Sequence, residues 1–151
     1  MGACAFFGHR IGMYQKYQKY MESLLINLIE REGITQFYMG GRGDFDYFCA
    51  DIVAKLRVRY PNIKNTLVLS YIPKGGEDYT LSSRYDDSVY LLEERVLPKF
   101  AIIKTNEALV KKVDVVVVAV RFQSGGAWRA TEYARRQGKK IINIYDECID
   151  E

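Results

Sequence analysis

Residues 113–120, VDVVVVAV, form an almost unbroken run of valine. A strand with one wet face alternates apolar and polar residues, whereas this one presents branched apolar side chains to both sides. Burial on both faces arises when helices cover both sides of a parallel sheet. The segment therefore predicts a central strand of an α/β sheet.

The rest of the chain supplies matching elements. ACAFF at 3–7 is a short apolar run closed by Gly8 and predicts the first strand. Between Tyr14 and Arg31, Tyr17, Tyr20, Met21, Leu24, Leu25, Leu28 and Ile29 recur at helical steps, and Gly33 stands where such a helix ends. Residues 36–39 read as strand two. After GGRGDFD at 40–46, Phe45, Phe48, Cys49, Ile52, Val53 and Leu56 again follow helical spacing towards Pro61. TLVLSYI at 66–72 predicts strand three, and PKGGEDYTLSSRYDD at 73–87 a long polar loop of functional character. A helix over 99–113 follows Pro98, the valine strand comes next, a helix spans 126–137 up to Gly138, and IINIY at 141–145 predicts a last strand before an acidic tail. Strands alternating with helices in this way give a single α/β domain over 1–151, a Rossmann-like doubly wound parallel sheet of about five strands with helices on both faces.

Composition narrows the function. The net charge is +3 with both signs interspersed, so nothing supports a nucleic-acid face. Cys4, Cys49 and Cys148 have neither CxxC nor Cys/His spacing, and His9 is the single histidine, so no disulfide framework, metal site or cofactor is expected. The chain lacks an apolar run near the ~20 residues of a membrane span and reads as cytoplasmic.

In a doubly wound sheet, ligands sit beyond the carboxyl ends of the strands. Three turns there are rich in glycine: Gly8-His9-Arg10 after strand one, Gly40-Gly41-Arg42-Gly43-Asp44 after strand two, and Ser124-Gly125-Gly126 before the helix that follows the valine strand. Glycine permits close approach to the backbone, and a helix amino terminus offers unpaired N–H groups at a positive dipole end, which together suit a phosphate or carboxylate. Small residues at 127, 130 and 134 would let that last helix lie near the sheet, with Glu132 reaching the pocket floor to bind a ribose hydroxyl or act on a glycosidic bond. His9 is either a hydrogen-bonded strand end or a ligand contact, and Arg10 either a phosphate fork or a surface ion pair. Asp44 and Asp46 divide between one helix cap and one ligand contact. Trp128, the single tryptophan, either stacks on a base or packs, and Tyr17 and Tyr20 belong to a buried helix face.

The segments FFGHR, GGRGDFD, PKFAIIKTNEALVKKVDVVVVAV and SGGAWRATEYARRQGKKIINI together resemble the YpsA-like branch of the SLOG superfamily, which also includes the DprA and Smf proteins and the Lonely Guy phosphoribohydrolases. The resemblance implies a nucleotide or nucleotide-derived ligand held by Gly8, His9, Arg10, Gly40, Gly41, Asp46, Ser124, Gly125, Gly126 and Glu132. Against the Lonely Guy pattern, Ser124 replaces a proline, Trp128 a glycine and Arg129 a threonine, while Gly125, Gly126 and Glu132 match. Thr105 stands where the YpsA-like branch has arginine before the asparagine. Three functions follow as expectations: recognition or sequestration of a signalling nucleotide, N-glycosidic hydrolysis with Glu132 as the catalytic residue, and docking through a vestigial pocket. A homodimer or higher homo-oligomer, with no membrane partner, is the expected assembly.

Overall fold

The computed structural model describes residues 2–72 and 81–147. Its strands are β1 (Gly2–Gly8), β2 (Ile34–Met39), β3 (Lys64–Leu69), β4 (Asp87–Tyr90), β5 (Val115–Ala119) and β6 (Lys140–Asn143). They form one sheet in the order β4-β3-β2-β1-β5-β6, with every neighbouring pair parallel. The helices are α1 (Gln18–Glu32), α2 (Asp44–Leu56), α3 (Ala101–Lys112), α4 (Gly126–Arg136) and the short α5 (Ile144–Glu147). Single 3-10 turns at Gln15–Tyr17 and Pro98–Phe100 lead into α1 and α3.

The alternation of side chains along each strand explains the valine run. Cys4 and Phe6 of β1 with Val115, Val117 and Ala119 of β5 face a layer built from α1, α2 and α5. Ala5 and Phe7 with Val116, Val118 and Val120 face α3 and α4 on the other side. Neither face meets water, so both sets must be apolar. Ala130 and Ala134 are the buried contacts of α4 with the sheet. Without bulk at those positions the helix lies close to β1, β5 and β6.

From β1 the chain builds outward through β2 and β3 to β4, then returns across the sheet to place β5 and β6 on the opposite side of β1. Connections leaving β1 and β5 therefore diverge and open a crevice at their carboxyl ends. α1 and α4 both end at glycines in the left-handed region, Gly33 (φ 70) and Gly138 (φ 71).

The architecture differs from the sequence expectation in four places. Among the described residues there are six strands, not about five, because β4 lies at the end of the stretch read as a polar loop. Residues 73–80 of that loop are outside the described residues, as are Cys148 and the acidic tail. β3 begins at Lys64 and stops at Leu69, so Tyr71 and Ile72 leave the sheet and stand exposed. β6 stops at Asn143, whose side-chain amide donates to the Val120 carbonyl at 2.9 Å while Ile144 turns inward to begin α5. Finally, β5 lies one strand in from the edge, flanked by β1 and β6, and is buried because helices cover it, not because it occupies the middle of the sheet.

Phe6 packs at the centre of the α1/α2 face, stacked 6.0 Å from Phe37 and edge-on 6.4 Å from Phe45. Truncating such a side chain removes its burial and leaves a cavity. Phe6→Ala is expected to lower the unfolding free energy by about 3–5 kcal/mol in urea titration, with an unchanged slope.

Candidate ligand-binding site

The connection from β1 into α1 and the start of α2 are locked together by backbone. The Asp44 amide donates to the Arg10 carbonyl at 2.8 Å, and the Asp44 carboxylate accepts from the Gly12 amide at 3.0 Å. A Cβ on Gly43 would lie 2.7 Å from the Arg10 Cα, so only glycine lets the two main chains approach this closely. Gly8 is confined in a similar way, since a Cβ there would enter the Phe45 ring at 2.4 Å. These glycines shape the turn whatever it binds.

Asp46 closes the second turn. Its carboxylate accepts from the Arg42 amide at 3.0 Å and is further favoured in its charged form by the Gly41 amide and the Arg42 guanidinium. Burial nevertheless outweighs these contacts and raises its pKa above the ordinary aspartate range. Both acids thus bond to backbone N–H groups of the turns, Asp44 on the β1 connection and Asp46 on the β2 connection.

Arg42 is the residue that sequence reasoning passed over. Its guanidinium donates to Ser70 Oγ at 2.9 Å, beyond the end of β3, and to Asn106 Oδ1 at 3.1 Å on α3. Burial lowers its pKa, with the charge of Asp46 opposing that effect and the nearby Arg10 adding to it. Even so, guanidinium stays charged at neutral pH. The available signal was an arginine enclosed by glycines at a strand's carboxyl end.

These elements meet around one cavity of about 350 Å³ at the crevice. β1 and the turn after it contribute Phe6, Phe7, Gly8, His9 and Arg10, the turn after β2 contributes Gly40, Arg42 and Gly43, and the first turn of α2 contributes Asp46. Ile102 and Asn106 come from α3, and Gly125, Gly126 and Ala127 from the start of α4. Arg10 and Arg42 against the single carboxylate of Asp46 leave the lining cationic. Gly125 takes φ 91, which turns the chain into α4 and exposes the first amides of that helix to the cavity. The arrangement offers two guanidinium groups and a helix amino terminus to an anion, with a half-buried carboxylate beside them to accept from a hydroxyl.

Of the ten residues singled out as ligand contacts, Gly8, His9, Arg10, Gly40, Asp46, Gly125 and Gly126 line this cavity. Gly41 lies behind it at φ 64, against Leu67 and Tyr85, and shapes the turn from outside. Ser124 is exposed outside the lining. Glu132 does not reach the floor of the cavity: six residues along α4 carry it about 9 Å away, into a neighbouring groove, where it accepts from Arg135 Nε at 3.0 Å. Thr105 is buried against the sheet with no hydrogen-bond partner for its hydroxyl among the described residues. No helix is long and apolar enough to cross a membrane, and no group of three or more His, Cys, Asp or Glu is placed to hold a metal, both among the described residues.

The fold is shared with solved structures. DNA processing protein A (DprA) from Streptococcus pneumoniae superposes with TM-score 0.63 at 18% identity over 93% of this chain and 49% of that one. DprA from Helicobacter pylori gives 0.61 at 14% identity, covering 92% and 63%. The Chlamydomonas rheinhardtii Moco carrier protein gives 0.52 at 14%, covering 93% and 73%. No protein-family model and no curated protein sequence matches the chain. The likeness establishes a Rossmann-like fold of the kind found in DprA, and this chain spans about half the length of the Streptococcus protein.

His9 ties the β1 turn to the β5 turn. Its Nε2 accepts from the Arg121 amide at 3.1 Å, and its ring lies 5.4 Å from that of Phe122. An accepting Nε2 requires the neutral, Nδ1-protonated imidazole. Burial accordingly lowers its pKa below the usual 6.5. A depressed histidine pKa means that the unfolded chain binds the extra proton first. The contribution of this contact is therefore complete above about pH 6.5 and is lost as pH falls through the lower folded value. Because His9 is the single histidine, one imidazole resonance in an NMR titration reports it. The expected result is a midpoint below 6.5 with the Nδ1–H tautomer at neutral pH.

Proposed function

We propose that the protein binds a phosphorylated small molecule of nucleotide type, with its phosphate on the α4 amino terminus between Arg10 and Arg42 and a sugar hydroxyl on Asp46. The observation that carries this reading is the position of Arg42. Its guanidinium is held by two neutral side chains, Ser70 and Asn106, at the wall of a concave site whose single carboxylate is engaged with backbone amides. A charge sequestered in this way favours an anionic partner. A cavity of about 350 Å³ suits a small ligand better than a polymer. One structural neighbour is described in a single-stranded DNA binding mode and another as a Moco carrier, so related folds serve both kinds of ligand. Within the SLOG resemblance, the Gly-His-Arg turn and the Ser-Gly-Gly helix start support the YpsA-like branch and a role in sensing or sequestering a nucleotide.

The test is a thermal-shift panel of nucleoside mono-, di- and triphosphates, cyclic nucleotides and ADP-ribose. A ligand present at a hundred times its Kd adds about 2.7 kcal/mol, roughly 5–10 °C for a chain of this size. Gly126 provides the matched control. A Cβ at Gly126 would meet no protein atom within 4 Å, so Gly126→Ala is expected to fold with unchanged or higher stability. Its methyl group would nevertheless face the anion, and binding should weaken by about tenfold or more. A panel without any shift would contradict the proposal.

Hydrolysis of an N-glycosidic bond is the second reading, favoured by one observation: Glu132 lines a groove that adjoins the cavity. It predicts release of free base from a nucleoside monophosphate and loss of that release in Glu132→Gln. Intact nucleotide after prolonged incubation would remove it.

A further inference from the structure

The glycines that line the cavity are required for different reasons. Gly8 and Gly43 each lie against a wall that cannot give, the Phe45 ring and the Arg10 main chain. Gly125 takes φ 91, and Gly126 faces open space. Gly40 fits none of these. It is not among the glycines of positive φ, so its backbone conformation does not call for glycine. The three atoms nearest to a Cβ built on Gly40 all belong to one side chain, Arg42 Cζ at 2.8 Å, Nη2 at 2.8 Å and Nη1 at 2.9 Å. These distances fall well inside the ~3.5–4 Å of van der Waals contact. Their near equality puts that Cβ position over the face of the guanidinium, because at its edge the two nitrogens would be nearer than the carbon. The plane of Arg42 therefore occupies the space where a side chain at residue 40 would stand.

Other contacts specify this pose. Nη1 donates to Ser70 Oγ at 2.9 Å and Nη2 to Asn106 Oδ1 at 3.1 Å, and both partners are buried. The Arg42 amide is fixed in turn by the Asp46 carboxylate at 3.0 Å. Against these stands the charge of Arg10, which opposes that of Arg42. A long cationic side chain beside another cation gains freedom and hydration by turning towards water. Two neutral acceptors hold the fork at the cavity wall only if the space over residue 40 is empty.

We propose that Gly40 is a positioning residue, acting through Arg42: its missing side chain is the seat on which the guanidinium lies while Ser70 and Asn106 hold the fork. Gly40 differs in this from a glycine that lets a ligand reach the main chain. The seat is a property of the protein alone, whereas its effect on binding rests on the anion reading of the cavity.

The experiment compares Gly40→Ala, Arg42→Ala and the double variant with the unaltered chain by urea unfolding, arginine side-chain ¹H–¹⁵N spectra and titration with inorganic phosphate. The added Cβ meets the far end of a flexible side chain, so Gly40→Ala is expected to fold. Its Arg42 Nη resonances, identified by their loss in Arg42→Ala, should move to the averaged position of exposed arginines. Phosphate affinity should fall about tenfold or more, to the level of Arg42→Ala, and the double variant should bind no more weakly than either single one. Unchanged Arg42 resonances in Gly40→Ala overturn the proposal, as does unchanged phosphate affinity where the unaltered chain binds. A double variant whose loss is the product of the two single losses also overturns it, because Gly40 then has its own contact with the anion. If the resonances move but even the unaltered chain binds no phosphate, the seat stands and the anion reading falls. Should Gly40→Ala fail to fold, the double variant decides, since without the guanidinium the Cβ has room: folding like Arg42→Ala sustains the seat, and failure to fold overturns it.

Discussion

The site depends on one backbone contact, that of Gly43 against Arg10. The carbonyl of Arg10 accepts from the Asp44 amide, and no Cβ fits between the two chains. This contact joins the turn after β1 to the first residues of α2, at the cavity that the start of the helix following β5 also lines. With the contact in place, Arg42 projects across the crevice to Ser70 and Asn106, linking the β2 turn to β3 and α3. His9 links the other side, through its acceptor nitrogen on the Arg121 amide. The cavity is thus framed by hydrogen bonds that leave its cations facing inward.

The price of this arrangement is visible in the titrating groups. Burial raises the pKa of Asp46 and lowers those of Arg42 and His9, each shift opposing the charged form. A carboxylate whose folded pKa is raised loses stability as pH rises, the reverse of an aspartate held for structure. Burial thus opposes the charged form of three groups in one concave site, at a cost to stability. The well-packed faces on either side, built on Phe6, Phe37 and Phe45 and on the β5 valines, supply the stability that the crevice gives up.

Much of the fold was readable from residue patterns because both-face burial leaves an unambiguous trace. The valine run, the periodic α1 and α2 and the glycine that ends α1 all lie where their chemistry requires. β4 left no such trace, since DSVY is four residues long, half-buried at a sheet edge, and continuous with polar sequence. The end of β3 was hidden for a different reason: Tyr71 and Ile72 look like strand residues, and their exposure is set by tertiary packing that composition does not record. In the site, the glycines marked the crevice while Arg42 was obscured by them, and Glu132 was expected at the pocket floor because small residues bring its helix near the sheet, whereas it lines the adjoining groove. The bond from Arg42 to Asn106 joins residues 64 positions apart, a contact that no local pattern records.

The central claim, an anion site formed jointly by the β2 turn and the α4 amino terminus, is tested most directly by following backbone amides in a ¹H–¹⁵N correlation spectrum during titration with inorganic phosphate. The account predicts that the amides of Gly43, Gly126 and Ala127 shift together and saturate with one dissociation constant, with the Arg42 side-chain Nε–H moving alongside them. Shifts scattered over surface lysines, or the absence of saturation at these amides, would contradict it.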